Sequence, residues 1–250
     1  MRVYFTLVRR ELAGYFASMT GYVIISAALF LIGYSFANTL ESLNAKPMDM
    51  PVTEVFFNSW FFWWILLLAA PLITMRTFAQ EKATGTFETL TTAPVNDLEI
   101  VLAKFSGALL FHLLLWVPWM ACMFALRHFL SDVSGAGWRS LLSAYLGMLS
   151  IGAVYMAIGC FASSLTRSQI IAAMITFALG MGLFLMSYQI TFPPVQSGWL
   201  IRLPSRLSLI DQLQDFVGGV LDTRNLVFGL SLTVFFLYLN WKVLESRRWK

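Results

Sequence analysis

Six long runs contain no Asp, Glu, Lys or Arg: residues 12–40, 55–75, 105–126, 140–166, 168–201 and 225–241. A helix needs about 20 apolar residues to cross the ~30 Å hydrocarbon core of a bilayer. Within a bilayer the backbone must bond to itself, so apolar runs of this length become helices. Spans are expected at about 20–40, 55–75, 104–126, 140–162, 169–190 and 225–244. Hydrophobic residues make up 58% of the 250 residues and charged residues 12%. That charged share is half the ~25% of a soluble domain. A soluble monomer, a disordered chain and a disulfide-rich secreted module are excluded. Cys122 and Cys160 both lie in apolar runs and make no disulfide framework. The first run follows basic residues, as in a signal peptide. It is as long as a span and lacks a convincing small-residue cleavage site, so it is expected to be retained.

The basic residues set an orientation. With both ends in the cytoplasm, as an even span count requires, 11 of the 17 lie inside: Arg2, Arg9, Arg10, Arg76, Lys82, Lys104, Arg167, Lys242, Arg247, Arg248 and Lys250. The outer loops hold the other six, Lys46, Arg127, Arg139, Arg202, Arg206 and Arg224. That bias predicts a multi-pass protein of the inner (cytoplasmic) membrane with both termini cytoplasmic. The net charge of +4 needs no nucleic acid to explain it.

Three segments are not spans. In residues 1–19, Met1, Phe5, Val8, Leu12, Tyr15 and Met19 recur at helical spacing, with Arg2, Thr6, Arg9 and Arg10 on other faces. This predicts an amphipathic helix in the inner membrane surface. Residues 76–103 form the most polar loop. Gly85 permits a break, Pro94 ends any short helix made by TFETLTT, and Asn96 with Glu99 has capping-box spacing. Val95 and Ile100 are placed as a hydrophobic staple. A built loop of this length reads as a docking surface. In the loop 191–224, after Pro193 and Pro194, an amphipathic helix is expected at about 206–217, ended by Gly218 and Gly219. Asp222 is placed to cap the last span. This outer helix would either cover a pathway or seal the bundle.

Some chemistries are missing from the sequence. There is no phosphate-binding Gly-Lys-Ser or Gly-Lys-Thr loop, no HExxH and no Cys-x-x-Cys, so neither catalytic residues nor metal ligands are assigned. His112 has no acidic partner on a span and reads as a packing or interhelical hydrogen-bonding residue rather than a proton relay. The apolar runs lack the ionisable groups that ion-coupled carriers keep at midplane. Any uphill movement must therefore draw its energy through the loop 76–103. Small residues recur four apart in the fourth span (Ser143 and Gly147, Ala153 and Ala157, Gly159 and Ser163), and the fifth carries Ala172, Ala173, Gly180 and Gly182. They suit either packing within the bundle or a dimer seam. Pro118 should kink the third span. Trp60, Trp63 and Trp64 suit an interfacial belt or an outward cavity.

The run QEKATGTFETLTTAPVNDLEIVLAKF resembles the signature of type-2 ATP-binding-cassette permeases, with Glu81, Gly85, Thr86, Leu90, Pro94, Glu99 and Lys104 in its places. The C-terminal stretch is similar to the gliding-motility and nitrous-oxide-reductase-maturation branch, through Asp211, Phe216 and Gly219 and then Leu244, Glu245, Arg247 and Arg248. The resemblance covers essentially the whole chain. It implies an all-α membrane protein of six transmembrane helices, one permease domain over 1–250, with an N-terminal interfacial helix and an outer helix before span 6. Residues about 81–92 would form a coupling helix that docks on a separate ATPase subunit. Two permeases, identical or paralogous, and two ATPases would make the working unit, acting in the family's usual direction of export. ATP and Mg would sit on the partner and no cofactor on this chain. Arg76 and Glu81 would orient the loop, Phe87 and Leu90 would anchor it, and substrate-binding residues are not assigned. The competing readings are a six-span scaffold or membrane enzyme without a nucleotide-binding partner, and a channel or secondary carrier.

Overall fold

The computed structural model describes residues 2–45, 56–57, 59–87, 96–129, 138–188 and 208–248. The described residues form helices and turns with no strand. In chain order the helices are α1 (Arg2–Ala17), α2 (Met19–Ala45), α3 (Trp60–Thr74), α4 (Ala79–Thr84), α5 (Asp97–Leu115), α6 (Val117–Phe129), α7 (Trp138–Leu165), α8 (Gln169–Tyr188), α9 (Leu209–Val217) and α10 (Thr223–Arg248). Six helical stretches are long and apolar enough to cross a membrane: Met19–Ser42, Trp60–Thr84, Asp97–His128, Trp138–Leu165, Gln169–Tyr188 and Thr223–Ser246. All six expected spans are therefore present.

α7 is the axis of the bundle and packs against α3, α5, α8, α9 and α10. Of its most apolar stretch 72% is buried, against 17% for α10, which places α10 at the periphery. Peripheral helices turn Phe30, Ile170, Met174, Val227 and Val234 outward; in a bilayer these faces meet lipid rather than water.

The small residues of α7 serve this internal packing. A Cβ on Gly159 would lie 2.1 Å from Thr74 Oγ1, one on Gly152 2.4 Å from His112 Nε2, and one on Gly147 2.9 Å from Phe216 Cβ. On α8, Gly180 is pressed against Tyr155 in the same way, whereas Gly182 has open space. The alternatives open in the sequence thus resolve toward packing within the subunit for α7 and Gly180. The tryptophans divide as well. Trp60 and Trp64 are exposed, while Trp63 is buried and rests 5.1 Å from the Phe184 ring.

Several local expectations are corrected. The third span starts at Asp97 rather than 104, so Lys104 lies two turns inside a helix and is buried. Asn96 stands at the N-cap of α5 in extended conformation, but its side chain makes no capping bond; the capping box is not formed, and Val95 lies outside the described residues. The span breaks at Trp116, whose N–H bonds to the carbonyls of Leu113 and Leu114. Two residues later Pro118 has no N–H to continue the ladder, and Tyr145 donates its hydroxyl to the Leu113 carbonyl at 3.3 Å. His112 accepts a bond from Trp116 Nε1 at 3.1 Å. Its partner is thus one turn along the same chain and not another helix. The N-terminal helix ends at Ala17, and Met19 opens α2.

The helix α9 starts after Ser208, which accepts a bond from the Asp211 N–H at 3.2 Å, and ends at Gly218 and Gly219. Leu209, Leu213, Phe216 and Val217 are buried, so α9 packs its apolar face against the bundle. Asp222 caps α10 as expected, accepting from the Arg224 N–H at 2.9 Å. Asp222→Ala should cost about 1 kcal/mol of local stability, seen as faster amide exchange confined to the first turn of α10. Unchanged exchange there would refute the cap.

Candidate functional site

The polar loop begins where α3 ends. Pro71 lies inside α3, and the chain then turns through residues 75–78 into α4. The first N–H groups of a helix have no partner within it. Here a different helix supplies one: Ser163 Oγ of α7 accepts from the N–H of Phe78 at 3.1 Å and of Ala79 at 3.0 Å. The same hydroxyl lies 3.3 Å from the Met75 carbonyl, to which it donates. Next to it, Lys82 Nζ donates to the Ser164 carbonyl and sits 5.5 Å from the centre of the Phe87 ring. So α4 is seated on the end of α7 by two adjacent serines. It terminates at Gly85, whose φ of 75° is left-handed, a conformation costly for any residue with a Cβ. The hydroxyls of Thr84 and Thr86 meet across this turn at 2.9 Å.

On the other side of α4 is a buried ion cluster. Lys104 Nζ of α5 lies 2.9 Å from Glu11 Oε1 of α1 and 2.8 Å from Glu81 Oε1 of α4. The lysine is 3% exposed and the two carboxylates 19% and 16%. Its ammonium also sits 5.4 Å from the centre of the Phe78 ring. Close approach of α1 to α5 makes this cluster. Gly107 lies one turn beyond Lys104, and a Cβ there would fall 2.8 Å from Glu11 Cβ. Along the same contact, Tyr4 and Ser106 hydroxyls pair at 2.6 Å, and the Tyr15 ring stacks on Phe111 at 4.7 Å. Tyr15 also donates to the Ile73 carbonyl at 3.1 Å, tying α1 to α3. Burial raises this phenol well above its ordinary value, so it stays a neutral donor through the physiological range.

Arg76, Glu81 and Thr86 line one cleft of about 410 Å³, together with Arg10, Glu11, Tyr15, Gln80 and Lys104. Of the residues expected at the site, Glu81 is in the ion cluster, Gly85 ends α4, and Thr86 braces the turn. Phe87 is half-buried under Lys82. Arg76 is half-buried and makes no ion pair among the described residues. Leu90 and Pro94 lie outside the described residues, as does the second part, 88–92, of the expected coupling helix 81–92. The described helix in this region, Ala79–Thr84, starts earlier. Glu11, Gly107 and Ser163 were not singled out for these roles. A signal existed for Glu11, which is the only acidic residue before Glu41.

A sequence profile described as ABC-2 family transporter protein matches residues 43–241, which include α3 to α9 and most of α10. The chain belongs to the ABC-2 transporter family. This ABC-2 protein is a transmembrane subunit of an ABC transporter, and members of the family normally work with an ABC ATPase subunit in a membrane. No curated protein matches it. The matched stretch contains Glu81, Lys104 and Ser163 but begins after Glu11, so α1 supplies its part of the cluster from outside the family's matched region.

Proposed function

We propose that the chain is the membrane half of an ATP-driven exporter, a single permease domain of the inner membrane with both termini cytoplasmic. A separate ATPase docks on the coupling loop 76–103, through Phe87 and Leu90 with Arg76, Glu81, Gly85, Thr86 and Pro94 shaping the loop. Two copies, identical or paralogous, work with two ATPases that hold ATP and Mg, and this chain binds no cofactor of its own. α1 lies in the inner membrane surface. Asp211, Phe216 and Gly219 support the gliding-motility and nitrous-oxide-reductase-maturation branch.

The observation that carries this reading is the shared lysine. Glu81 stands on the short helix of the docking loop and Glu11 on α1, and both bond to Lys104 of α5. Ser163 ties the same short helix to α7. A displacement of the loop by a docked ATPase is then delivered to α1, α5 and α7 together, because a packed bundle transmits strain rather than absorbing it. The half-buried Phe87 offers one face to a partner while its other face rests under Lys82. Large apolar side chains of this kind are typical anchors of an interface.

Co-purification of the chain with its candidate ATPase tests the reading, wild type against Phe87→Asp with Leu90→Asp. The ATPase is expected with wild type and at least ~10-fold less with the double variant, since hot-spot residues cost about 2 kcal/mol or more each. Equal retention would show that this loop is not the docking site. No association with either form would bring forward the scaffold or membrane-enzyme reading.

A further inference from the structure

We propose that the cleft between α1 and the loop after α3 binds the phosphate group of an anionic phospholipid, held by Arg10 and Arg76. Both arginines line the 410 Å³ cleft, and neither is bonded or ion-paired among the described residues. Arg76 is half-buried and its Nε is shut off from solvent without an acceptor. A buried guanidinium nitrogen without an acceptor is costly. The two carboxylates in the cleft bond Lys104 through their Oε1 atoms, and Glu81 Oε2, itself without a partner, makes no bond to Arg76. Arg10, Arg76 and Lys104 against Glu11 and Glu81 leave one net positive charge. An oxyanion with several acceptors is the complement, and the arginine fork fits phosphate best. At ~30 Å³ per water, the cleft has room for a group on the order of ten waters in size.

The surroundings select a lipid as the source of that phosphate. An apolar groove of about 240 Å³ is lined by Phe16, Ile25, Leu29, Phe111, Leu114 and Pro118 among others. Tyr15 faces the charged cleft, Phe111 lines the groove, and the two rings stack at 4.7 Å. A molecule with an anionic head and apolar chains matches both chemistries. The exposed Val3, Phe5, Phe16 and Met19 of the α1–α2 corner belong at the membrane surface, where such heads are most concentrated and where each nearby arginine is worth a several-fold gain in binding. The proposal rests on the orientation given above, with α1 at the inner surface. It does not require the ATPase.

Native mass spectrometry of the detergent-purified full chain tests it, with no ATPase present. Phosphatidylglycerol, phosphatidylcholine and inorganic phosphate are the probes. Wild type is expected to retain one phosphatidylglycerol per chain in preference to phosphatidylcholine, and Arg10→Gln with Arg76→Gln to bind it about tenfold more weakly. Arg76→Lys, which keeps the charge and loses the fork, should fall between them. Equal retention by wild type and the double variant overturns the proposal. So does displacement by inorganic phosphate, which would make the ligand a soluble one. If no lipid is retained, but the double variant loses the ATPase in co-purification, the cleft serves a carboxylate of that subunit and the lipid assignment fails. Should the double variant not fold, wild type alone decides: a several-fold preference for phosphatidylglycerol supports the site, and equal affinity for the two lipids refutes it.

Discussion

Replacing Lys104 by Met is expected to remove about 3–5 kcal/mol of stability, because two carboxylates then face each other with no cation between them. For a chain of this size that is roughly a 10 °C fall in midpoint, read by thermal unfolding in detergent. The side-chain volume is nearly conserved, so the loss reports charge and not a cavity. Adding Glu11→Gln and Glu81→Gln should restore most of the stability, since a neutral cluster carries no unpaired buried charge. The same triple variant distinguishes a structural tie from a transmitting one. If Lys104 links the loop to α1 and α5 mechanically, the restored protein should still show weakened stimulation of its ATPase by transport substrate. A Lys104→Met variant as stable as wild type would show that the cluster is not formed.

The second large effect is expected at Ser163. Its hydroxyl is the acceptor for the Phe78 and Ala79 N–H groups, and Ser163→Ala leaves both buried donors without one. Each orphaned donor costs about 1–3 kcal/mol, so a loss of roughly 2–4 kcal/mol is anticipated. Little of it comes from packing, because only an oxygen is removed. Hydrogen exchange gives the sharper reading. The amides of Phe78 and Ala79 should exchange much faster in the variant, while the buried middle of α7 keeps its protection unless the whole bundle opens. Unaltered exchange at those two amides would mean that Ser163 does not cap α4.

These two substitutions mark how far the sequence could be read. Span number, helical class and the place of the polar loop follow from local properties: ionisable-free runs, the polarity of residues 76–103 and the glycine at 85. Asp222 and the Gly218–Gly219 stop were legible for the same reason, since a cap or terminator acts within a few residues of itself. Asn96 had the correct cap position, but its side chain forms no cap bond, because spacing places a residue without orienting it. The helix α5 began about two turns before the apolar run suggested. A buried lysine was not foreseen because its burial depends on carboxylates 93 and 23 positions away in the chain.

What the sequence determined alone was therefore the set of spans, their helical form and the position of the polar loop between the second and third of them. Each of these is dictated by the bilayer's demand for internally satisfied backbone and by the short range of capping and turn chemistry. Only the tertiary structure decided that Glu11, Glu81 and Lys104 form one cluster, that Ser163 caps a helix on another part of the chain, and that the glycines of α7 serve internal packing. Those outcomes depend on which helix faces meet, and a pairing between distant residues leaves no trace in the spacing of either one.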